Sequence, residues 1–548
     1  MVDHMLMKSA INGDSSRLSK CLGFGVALCA AALLVPTVAH AAYVRGELVW
    51  RFDFTPEEMA KQGLDAKRFA ADGTGCAYLP DGGPSGKGAM AFKTVGLDKS
   101  VMVYIKADIT MPELVQVEAD VRGVDLERGE RLNFSSKAVF QCRSSKTGKI
   151  THAALAQEDG TFDWKTWVGV RDFADAAPGA GVVIGSEKSA GEFRVASLRI
   201  YRAKEVPDSE VKAPENKAAA AIPRGPFAGG RHNPKALRGV MSGADMGEAS
   251  LKNLAGWGAN LVRLQLAVDG GRRMARDEYL AALEKRLDEY VAIADRCHKN
   301  GIRIVLDLHT PPPGGVKATK NASNLLAKGY DTTALRKAWR IIMARFQGHP
   351  AVIAYDIMNE PCCAPEEWRR IFRETVEDLR QVDAKTPVVT QFVDTYWPKE
   401  MNVIYSPHFY SPHQLTHSNV GSYSGIRWSY PGYINGVYWD KEQMRVDLKP
   451  WIDFQRAHPG TRILVGEFSC ILWSKGADKY IRDAIEIFEE YGWDWCYHAY
   501  REWQAWDVEY THVGDYVPKK WVKATTDTDR KKELLKGLSY NGRPRHVQ

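Results

Sequence analysis

At 548 residues the chain is longer than one ordinary domain, so two or three domains are expected. With 45% hydrophobic and 26% charged residues, its composition is that of a soluble globular protein with a sizeable core. The net charge of +7 is spread along the chain rather than gathered into basic runs, which argues against a nucleic-acid-binding protein.

The first 41 residues are predicted to be a secretory signal peptide. Arg17 and Lys20 precede an apolar stretch at 22–35, and residues 39–41 form an A-x-A cleavage site. Cleavage there would begin the mature chain at Ala42 and place it outside the cytoplasm, either secreted or periplasmic. A retained membrane anchor is the alternative. No other stretch of the sequence is long and apolar enough to span a bilayer.

Residues 42–204 are predicted to form an all-β sandwich. Short alternating runs are separated by turn-forming clusters such as the one at 81–84. Trp164 and Trp167 are three residues apart, so they point to opposite faces of a strand and at least one is expected in the core. The last run, 193–201, resembles the closing strand of jelly-roll carbohydrate-binding modules. Whether this domain binds carbohydrate or acts as a structural spacer stays open.

Residues 205–234 are predicted to be a linker. The segment is rich in proline and charge, contains four consecutive alanines at 218–221, and has no apolar periodicity. We therefore expect that it buries no face of its own.

From residue 235 to residue 548, strand-like and helix-like patterns alternate. Residues 277–299, for example, keep their apolar side chains at helical spacing. Eight strands alternating with helices over about 300 residues have the size of a (β/α)₈ TIM barrel, an α/β fold. The predicted strands are 237–241, 259–266, 302–308, 351–358, 387–393, 403–406, 462–467 and 493–500.

Two of these predicted strands end in a glutamate. The fourth strand runs into Asn359-Glu360-Pro361, and the seventh ends in Gly466-Glu467-Phe468. Catalytic groups of such barrels lie at the carboxyl ends of the strands, so both carboxylates are expected at one mouth. Two facing carboxyl groups are what glycoside hydrolysis requires. Partial burial is expected to raise the pKa of Glu360, as suits a general acid.

Other predicted strands carry polar residues at the same end. Arg263 lies on the second strand, His309 follows the third, and His408 and Tyr410 follow the sixth. A single histidine of this kind is commonly a core residue bonded to a carbonyl group. Two histidines in register with two glutamates favour a functional site instead.

The pair of motifs at 359–361 and 466–468, inside a βα repeat, resembles glycoside hydrolase family 5, the cellulase-like family, over roughly residues 235–510. The resemblance implies a retaining mechanism in which Glu360 is the acid/base and Glu467 the nucleophile. It also implies that Asn359 holds the 2-hydroxyl of the sugar undergoing cleavage.

The same resemblance implies roles for the other residues at the strand ends. Arg263 would lie beneath the nucleophile and keep it ionised, and Tyr410 would orient it by a hydrogen bond. His309 and His408 would bind sugar hydroxyls or tune the acid. These implications are expectations for the structure.

The sequence departs from the family pattern at the end of strand eight. Many members carry a tryptophan there that stacks under the reacting sugar, whereas this chain has His498 at the expected position. We predict that Trp503, just beyond, supplies the platform; a packing role is the alternative. The aromatic loop at 411–443 is predicted to wall the substrate cleft, or else to have its own small core.

The sequence thus predicts a secreted glycoside hydrolase. The resemblance implies a retaining endo-β-glycanase that acts on a β-linked polysaccharide of the β-glucan or mannan type, although endo and exo action are both left open. No cofactor, metal or nucleic acid is expected, and the partner is a polysaccharide or oligosaccharide. The oligomeric state is left open. Two alternatives remain: a non-catalytic polysaccharide-binding protein on the same barrel, and a transglycosylase that uses the same residues.

Overall fold

The computed structural model describes most of the chain from residue 41 onward, so residues 1–40 of the predicted signal peptide lie outside the described residues. The described residues are 41–64, 75–127, 135–156, 159–173, 175–207, 210–211, 213–243, 246–271, 274–313, 330–361, 363–418, 420, 427–434, 437–512 and 521–541.

The N-terminal region consists of ten strands in two antiparallel sheets. The first sheet has the order β2-β3-β10-β5-β8, with β1 also pairing with β10, and the second has the order β4-β9-β6-β7. The strands are β1 (Ala41–Asp53), β2 (Cys76–Leu79), β3 (Ala89–Thr94), β4 (Ser100–Thr110), β5 (Leu114–Glu127), β6 (Ser136–Arg143), β7 (Ile150–Ala156), β8 (Gly160–Asp172), β9 (Pro178–Glu187) and β10 (Ala190–Pro207).

Apolar side chains from both sheets form the core of this region. Phe92, Phe140 and Phe193 are fully buried, and the ring of Trp167 stacks on that of Phe193 at 5.4 Å. Trp167 is buried whereas Trp164 is partly exposed, as their three-residue spacing on one strand predicts. The likeness to jelly-roll binding modules stays a prediction.

Residues 213–234 form an ordered strap along the outside of the next domain, and residues 205–207 still belong to β10. Ile222 is only 4% exposed, and the backbone N–H of Gly225 donates to the carboxylate of Glu490 at 3.0 Å. The hydroxyl of Tyr491 donates to the carbonyl of Pro223 at 2.9 Å. The structure therefore differs from the expectation that this segment buries no face, because polar anchors supplement its few apolar side chains.

The C-terminal region is a closed barrel of eight parallel strands. Each strand pairs with the next, β11 closes on β21, and the sixth strand is split into β16 and β17, both of which pair with β20. The barrel strands are β11 (Arg238–Ser242), β12 (Leu261–Leu266), β13 (Arg303–Leu308), β14 (Val352–Asp356), β15 (Val388–Thr390), β16 (Val403–Tyr405) with β17 (His408–Phe409), β20 (Arg462–Phe468) and β21 (Asp494–His498). The region also contains β18 (Gly432–Ile434), β19 (Val437–Trp439), β22 (Tyr510–His512) and β23 (Trp521–Lys523).

Four of the described strands in this region lie outside the barrel: β18 and β19 form a hairpin in the loop after the sixth strand, and β22 pairs with β23. The described helices that surround the barrel are Glu248–Gly256, Arg276–Lys299, Thr333–Phe346, Pro365–Arg380, Lys449–Ala457, Ala477–Tyr491 and Asp529–Leu538; a 3₁₀ turn at Lys399–Met401 follows β15. The predicted (β/α)₈ barrel preceded by a strand-rich domain is confirmed.

One apolar layer fills the interior of the barrel, and each of the eight strands contributes one side chain to it. Small and large side chains share the layer, so it is a packed core rather than a channel. Its members are Met241, Leu261, Val305, Ala354, Val389, Ile404, Leu464 and Cys496. We call this set the barrel plug.

The two domains meet along a short seam. The backbone N–H of Arg427, just before the β18–β19 hairpin, donates to the carbonyl of Val170 on β8, and its guanidinium pairs with Asp172 at 2.7 Å. Lys475, after β20, pairs with Glu205 and lies 5.1 Å from the ring centre of Tyr43. The edge strand β8 of the sandwich is thus hydrogen-bonded to a loop of the barrel. Among the described helices, none has the length and apolar character of a membrane span.

Candidate active site

Arg263 of β12 lies at the centre of the barrel mouth, just above the plug, and its side chain is fully buried. Its guanidinium lies 3.0 Å from Asp307 and donates to Asp356 and Glu467 at 2.8 Å each. It also donates to the side-chain oxygen of Asn359 at 2.9 Å. The planar fork of five N–H donors lets one side chain orient several neighbours.

Glu467, near the end of β20, is 4% exposed and has a partner on each carboxylate oxygen. Arg263 donates to Oε1, whereas the hydroxyl of Tyr410 donates to Oε2 at 2.8 Å. Burial opposes ionisation of this carboxyl. The positive charges of the neighbouring imidazoles and of the guanidinium outweigh burial, so the pKa of Glu467 is held well below its usual value.

Glu360 follows β14 and projects towards the same mouth. Its backbone has a φ of 44°, in the left-handed region that residues other than glycine rarely adopt. Such a conformation costs about 1–3 kcal/mol, and strained residues of this kind cluster at active sites. The backbone N–H of Glu360 donates to the side-chain oxygen of Gln391 at 2.8 Å, which fixes the turn.

His408 of β17 lies between the two glutamates. Its Nδ1 is 2.9 Å from Oε1 of Glu360 and 3.6 Å from Oε1 of Glu467. A carboxylate oxygen of Glu360 and one of Glu467 lie within 4.8 Å of each other. The two carboxyl groups are therefore close neighbours that share an imidazole.

This arrangement changes the pKa expected for Glu360. Burial is the largest influence and raises it, but the hydrogen bond and positive charge of His408, together with the charge of His309, outweigh burial, so the pKa of Glu360 is lowered. Burial likewise opposes protonation of His408, yet the charges of Glu467 and Glu360 raise its pKa. The expectation of a raised pKa for Glu360 is therefore not met in this geometry, because the neighbouring imidazole takes up the proton.

The remaining strand-end residues lie around this centre. His309 is 2.8 Å from Asp307 and keeps about a fifth of its side chain exposed. Asn359 is 6% exposed and is fixed by Arg263 through its side-chain oxygen. The structure therefore brings together seven of the eight predicted site residues, namely Arg263, His309, Asn359, Glu360, His408, Tyr410 and Glu467.

The eighth predicted site residue is Trp503. It is partly exposed, and its ring meets that of Trp506 at 4.9 Å in a T-shaped contact. Trp506 in turn stacks on Tyr410 at 5.2 Å, so ring contacts connect Trp503 to the residue that donates to Glu467. The contact with Trp506 is the packing role named as the alternative, and the platform role stays a prediction.

The position predicted for the stacking aromatic is occupied by His498, which is 1% exposed. Its Nδ1 lies 3.2 Å from Oε2 of Glu467 and its Nε2 lies 3.5 Å from Glu502. In the sequence this histidine departs from the family pattern, and it is not among the predicted site residues.

Asp307 and Asp356 were also missed. Both are fully buried, and each interrupts an otherwise apolar barrel strand. Burial and the negative charge of Asp307 raise the pKa of Asp356 to about 6 despite the attraction of Arg263. An acidic residue inside a buried strand needs a cationic partner, and this was the signal available in the sequence.

The aromatic loop after the sixth strand divides into two groups of side chains. Trp428, Tyr430 and Trp439 are buried, and the hydroxyl of Tyr430 donates to Asp483 at 2.8 Å. Tyr433 on the β18–β19 hairpin is 52% exposed. The buried members form the loop's own core, which leaves the exposed hairpin face as the part able to contact a ligand.

Three side chains at the centre have the spacing of a metal-ligand set. Glu360, His408 and Glu467 each offer one ligand atom, and these atoms lie within 4.8 Å of one another; the part of the chain that the structure describes contains no second such group. Arg263 bonds to Glu467 and would place its fixed charge beside a bound cation, so this donor set suits a cation poorly.

Comparison with known proteins places this barrel among cellulases. The family model described as cellulase (glycosyl hydrolase family 5) matches residues 232–506, a span that contains all eight barrel strands. Endoglucanase C of Acetivibrio thermocellus is 25% identical over 232 residues, covering 36% of this chain and 67% of the relative. Endoglucanase C307 of Clostridium sp. strain F1 matches with the same identity and coverage.

The solved structures that match this chain include the endoglucanase Cel5A of the hyperthermophilic Thermotoga maritima. It has 19% sequence identity and a TM-score of 0.42, and the match covers 56% of this chain and 98% of that chain. The crystal structure of another glycoside hydrolase matches with 21% identity and a TM-score of 0.45, covering 56% of this chain and 99% of that chain.

Proposed function

The chain belongs to glycosyl hydrolase family 5, the cellulase family, and from that premise we propose that it cleaves a β-linked polysaccharide of the β-glucan or mannan type by double displacement. It is a glycoside hydrolase, and the endoglucanases among its relatives favour internal cleavage of a β-glucan. The observation that carries the proposal is the pair of carboxylates, Glu360 and Glu467, with oxygens within 4.8 Å at one barrel mouth.

The short separation supports retention of anomeric configuration. Retaining enzymes hold their two carboxyl groups about 5–5.5 Å apart, whereas inverting enzymes need about 6.5–9.5 Å to admit a water molecule between base and sugar. Glu467 would attack the anomeric carbon and form a glycosyl ester while the leaving oxygen takes a proton. Water would then cleave the ester, giving its proton back to Glu360.

The proton for the leaving oxygen is held by a pair of side chains. The pKa of His408 is raised and that of Glu360 is lowered, so before substrate binds the proton would rest on His408 beside an ionised Glu360. Transfer across their 2.9 Å hydrogen bond would place the proton on Glu360 as negative charge develops on the leaving oxygen. Glu360 would then act as acid and, in the second step, as base.

The other groups would hold the sugar and the nucleophile. Because the side-chain oxygen of Asn359 accepts from Arg263, its NH₂ group is the part that would donate to the 2-hydroxyl of the reacting sugar. Arg263 and Tyr410 would keep Glu467 ionised and aimed. His309 and Trp503 would line the cleft.

The test is a panel of β-glucan, mannan, xylan and galactan, assayed with the wild type, Glu360→Gln and Glu467→Gln. We expect cleavage of one polymer by the wild type. Glu360→Gln should slow it by about 10²–10⁴-fold, the usual contribution of a general acid, and should recover on 2,4-dinitrophenyl β-cellobioside, whose leaving group needs no proton. Glu467→Gln should be inactive on both substrates.

Glu442→Gln is the matched control, because Glu442 pairs with Arg224 outside the barrel mouth. Binding without cleavage on every polymer would support the non-catalytic alternative. A transglycosylase would instead transfer sugar to an added acceptor in preference to water. Proton NMR of the first product would show the β-anomer if the reaction proceeds with retention.

We also propose, from the sequence pattern at residues 1–41, that the mature protein begins at Ala42 and is secreted or periplasmic. N-terminal sequencing of the exported protein tests this. A first residue upstream of the A-x-A site would contradict it.

A further inference from the structure

His498 makes contacts that a simple packing residue does not need. It ends β21 and is 1% exposed. Its Nδ1 lies 2.7 Å from the hydroxyl oxygen of Tyr410 and 3.2 Å from Oε2 of Glu467. Its Nε2 lies 3.5 Å from a carboxylate oxygen of Glu502. Both ring nitrogens therefore face oxygen atoms in a buried site.

These oxygens determine the protonation of the ring. The hydroxyl of Tyr410 donates its hydrogen to Glu467 at 2.8 Å, so it presents lone pairs to His498. Nδ1 thus faces acceptors only, and Nε2 faces a carboxylate, which is the environment of a doubly protonated imidazolium. Although burial opposes the charge, the two glutamates raise the pKa of His498 to about 10.

Glu502 is itself held in place from another strand. The side-chain amide of Gln265 on β12 donates to its carboxylate at 2.8 Å, and Gln265 is 3% exposed. The side chain of Glu502 is 6% exposed. Gln265, Glu502 and His498 thus form a continuous buried chain that ends at the second oxygen of Glu467.

We propose that His498 is a second cationic positioning residue for the nucleophile, and that Glu502 acts through it by holding the imidazolium in place. The proposal rests on the proposed function of Glu467. Arg263 governs Oε1 of Glu467, and His498 together with Tyr410 governs Oε2. The carboxylate is therefore fixed at both oxygens by positive charge.

The two cations affect both steps of the reaction. They keep Glu467 ionised for attack, and they stabilise the carboxylate again when it leaves the glycosyl ester. The other titratable groups that face Glu467 are His408, 3.6 Å from Oε1, and Glu360 beyond it. Among the described residues, the charged or titratable groups that contact His498 include Glu467, Tyr410 and Glu502.

The test measures the pH profile of kcat/KM on 2,4-dinitrophenyl β-cellobioside for the wild type, His498→Asn and Glu502→Gln. This leaving group needs no proton, so the acidic limb reports the ionisation of Glu467. In His498→Asn a neutral amide replaces the cation. The pKa of Glu467 should then rise, and the acidic limb should move up by about 1–3 pH units.

Glu502→Gln should instead move the alkaline limb of the kcat/KM profile. It removes the anion that stabilises the imidazolium, so the pKa of His498 falls. At low pH the imidazole stays charged and the acidic limb stays in place. At high pH it loses its proton earlier, and activity should decline from a lower pH than in the wild type. Glu502→Asp, which keeps the carboxylate, should restore the wild-type limb.

Glu509→Gln is the matched control, because Glu509 pairs with Arg501 on the same loop. A lowered rate with both limbs unmoved would overturn the proposal, since that is the result of a merely structural role. A raised KM with unchanged kcat would also overturn it, because His498 would then be contacting the sugar. If His498→Asn fails to fold, the alkaline limb of Glu502→Gln decides.

The proposed function fails separately from this inference. It fails if Glu467→Gln hydrolyses the probe as fast as the wild type does. The inference alone fails if the wild type is active, Glu467→Gln is inactive, and the two variants keep wild-type limbs.

Discussion

Arg263 illustrates how one buried charge organises the mouth of the barrel. It has no exposed side-chain surface, and it contacts the carboxylates of Asp307, Asp356 and Glu467. Burying three carboxylates without a cation would be costly, because charges lose their hydration in the interior. The guanidinium is therefore a structural requirement of the barrel as well as part of the site.

Replacing this residue tests that statement. Arg263→Met should lower the free energy of unfolding by about 3–5 kcal/mol at pH 8, the usual effect of leaving buried charges without their partner. Without the guanidinium, the pKa of Asp356, already about 6, rises further above its unfolded value of about 4, and the pKa of Glu467 rises from its lowered value. The folded state then binds more protons than the unfolded state, so stability falls as pH increases through this range.

Urea unfolding at pH 5 and pH 8 measures this difference. The variant should lose more stability at pH 8 than at pH 5. Arg340→Met is the control, because that exposed side chain pairs with Asp378 on the barrel surface and its loss should change stability little. An equal loss in the free energy of unfolding at both pH values would mean that lost packing, rather than unpaired charge, accounts for the effect of replacing Arg263.

At the scale of elements, the regular part of the chain was predictable from sequence. The helix Arg276–Lys299 lies within one residue of its predicted bounds, because its apolar side chains follow helical spacing. Strand β20 was predictable because it is a short apolar run. The seven site residues at the barrel mouth could be predicted because each lies on a barrel strand or just after one, and parallel strands direct their carboxyl ends to one face.

Other elements carried too weak a pattern. Strand β9 contains glycines at 179, 181 and 185, a pattern typical of a turn, although the strand pairs on both edges inside a sheet. The strap lacks periodicity because backbone and carboxylate contacts with Glu489 and Glu490, rather than an apolar face, hold it. Long-range polar partners of this kind have no local signature in the sequence.

The strap leads to a prediction about fragments. A barrel fragment that begins at residue 210 keeps the strap, whereas one that begins at residue 235 loses it and leaves the carboxylate of Glu490 without the N–H of Gly225. The shorter fragment should therefore melt at a lower temperature by circular dichroism. Equal melting temperatures would show that the strap adds nothing to the stability of the barrel.

At the scale of the whole molecule, the sandwich is joined to the catalytic side of the barrel rather than to its far end. The seam reaches the segment that leads into the β18–β19 hairpin, through Arg427 with Val170 and Asp172. A domain fixed there supports the segment that leads into the β18–β19 hairpin. Whether it also binds carbohydrate stays a prediction, for which the exposed Tyr104 on β4 is one available aromatic surface.

The barrel plug has a further consequence for how a polymer meets this protein. Eight side chains, one from each strand, block the axis below Arg263, so the mouth is a dead end. A polysaccharide substrate can therefore reach the two carboxylates only from the open side of the barrel, and the products must leave on that same side.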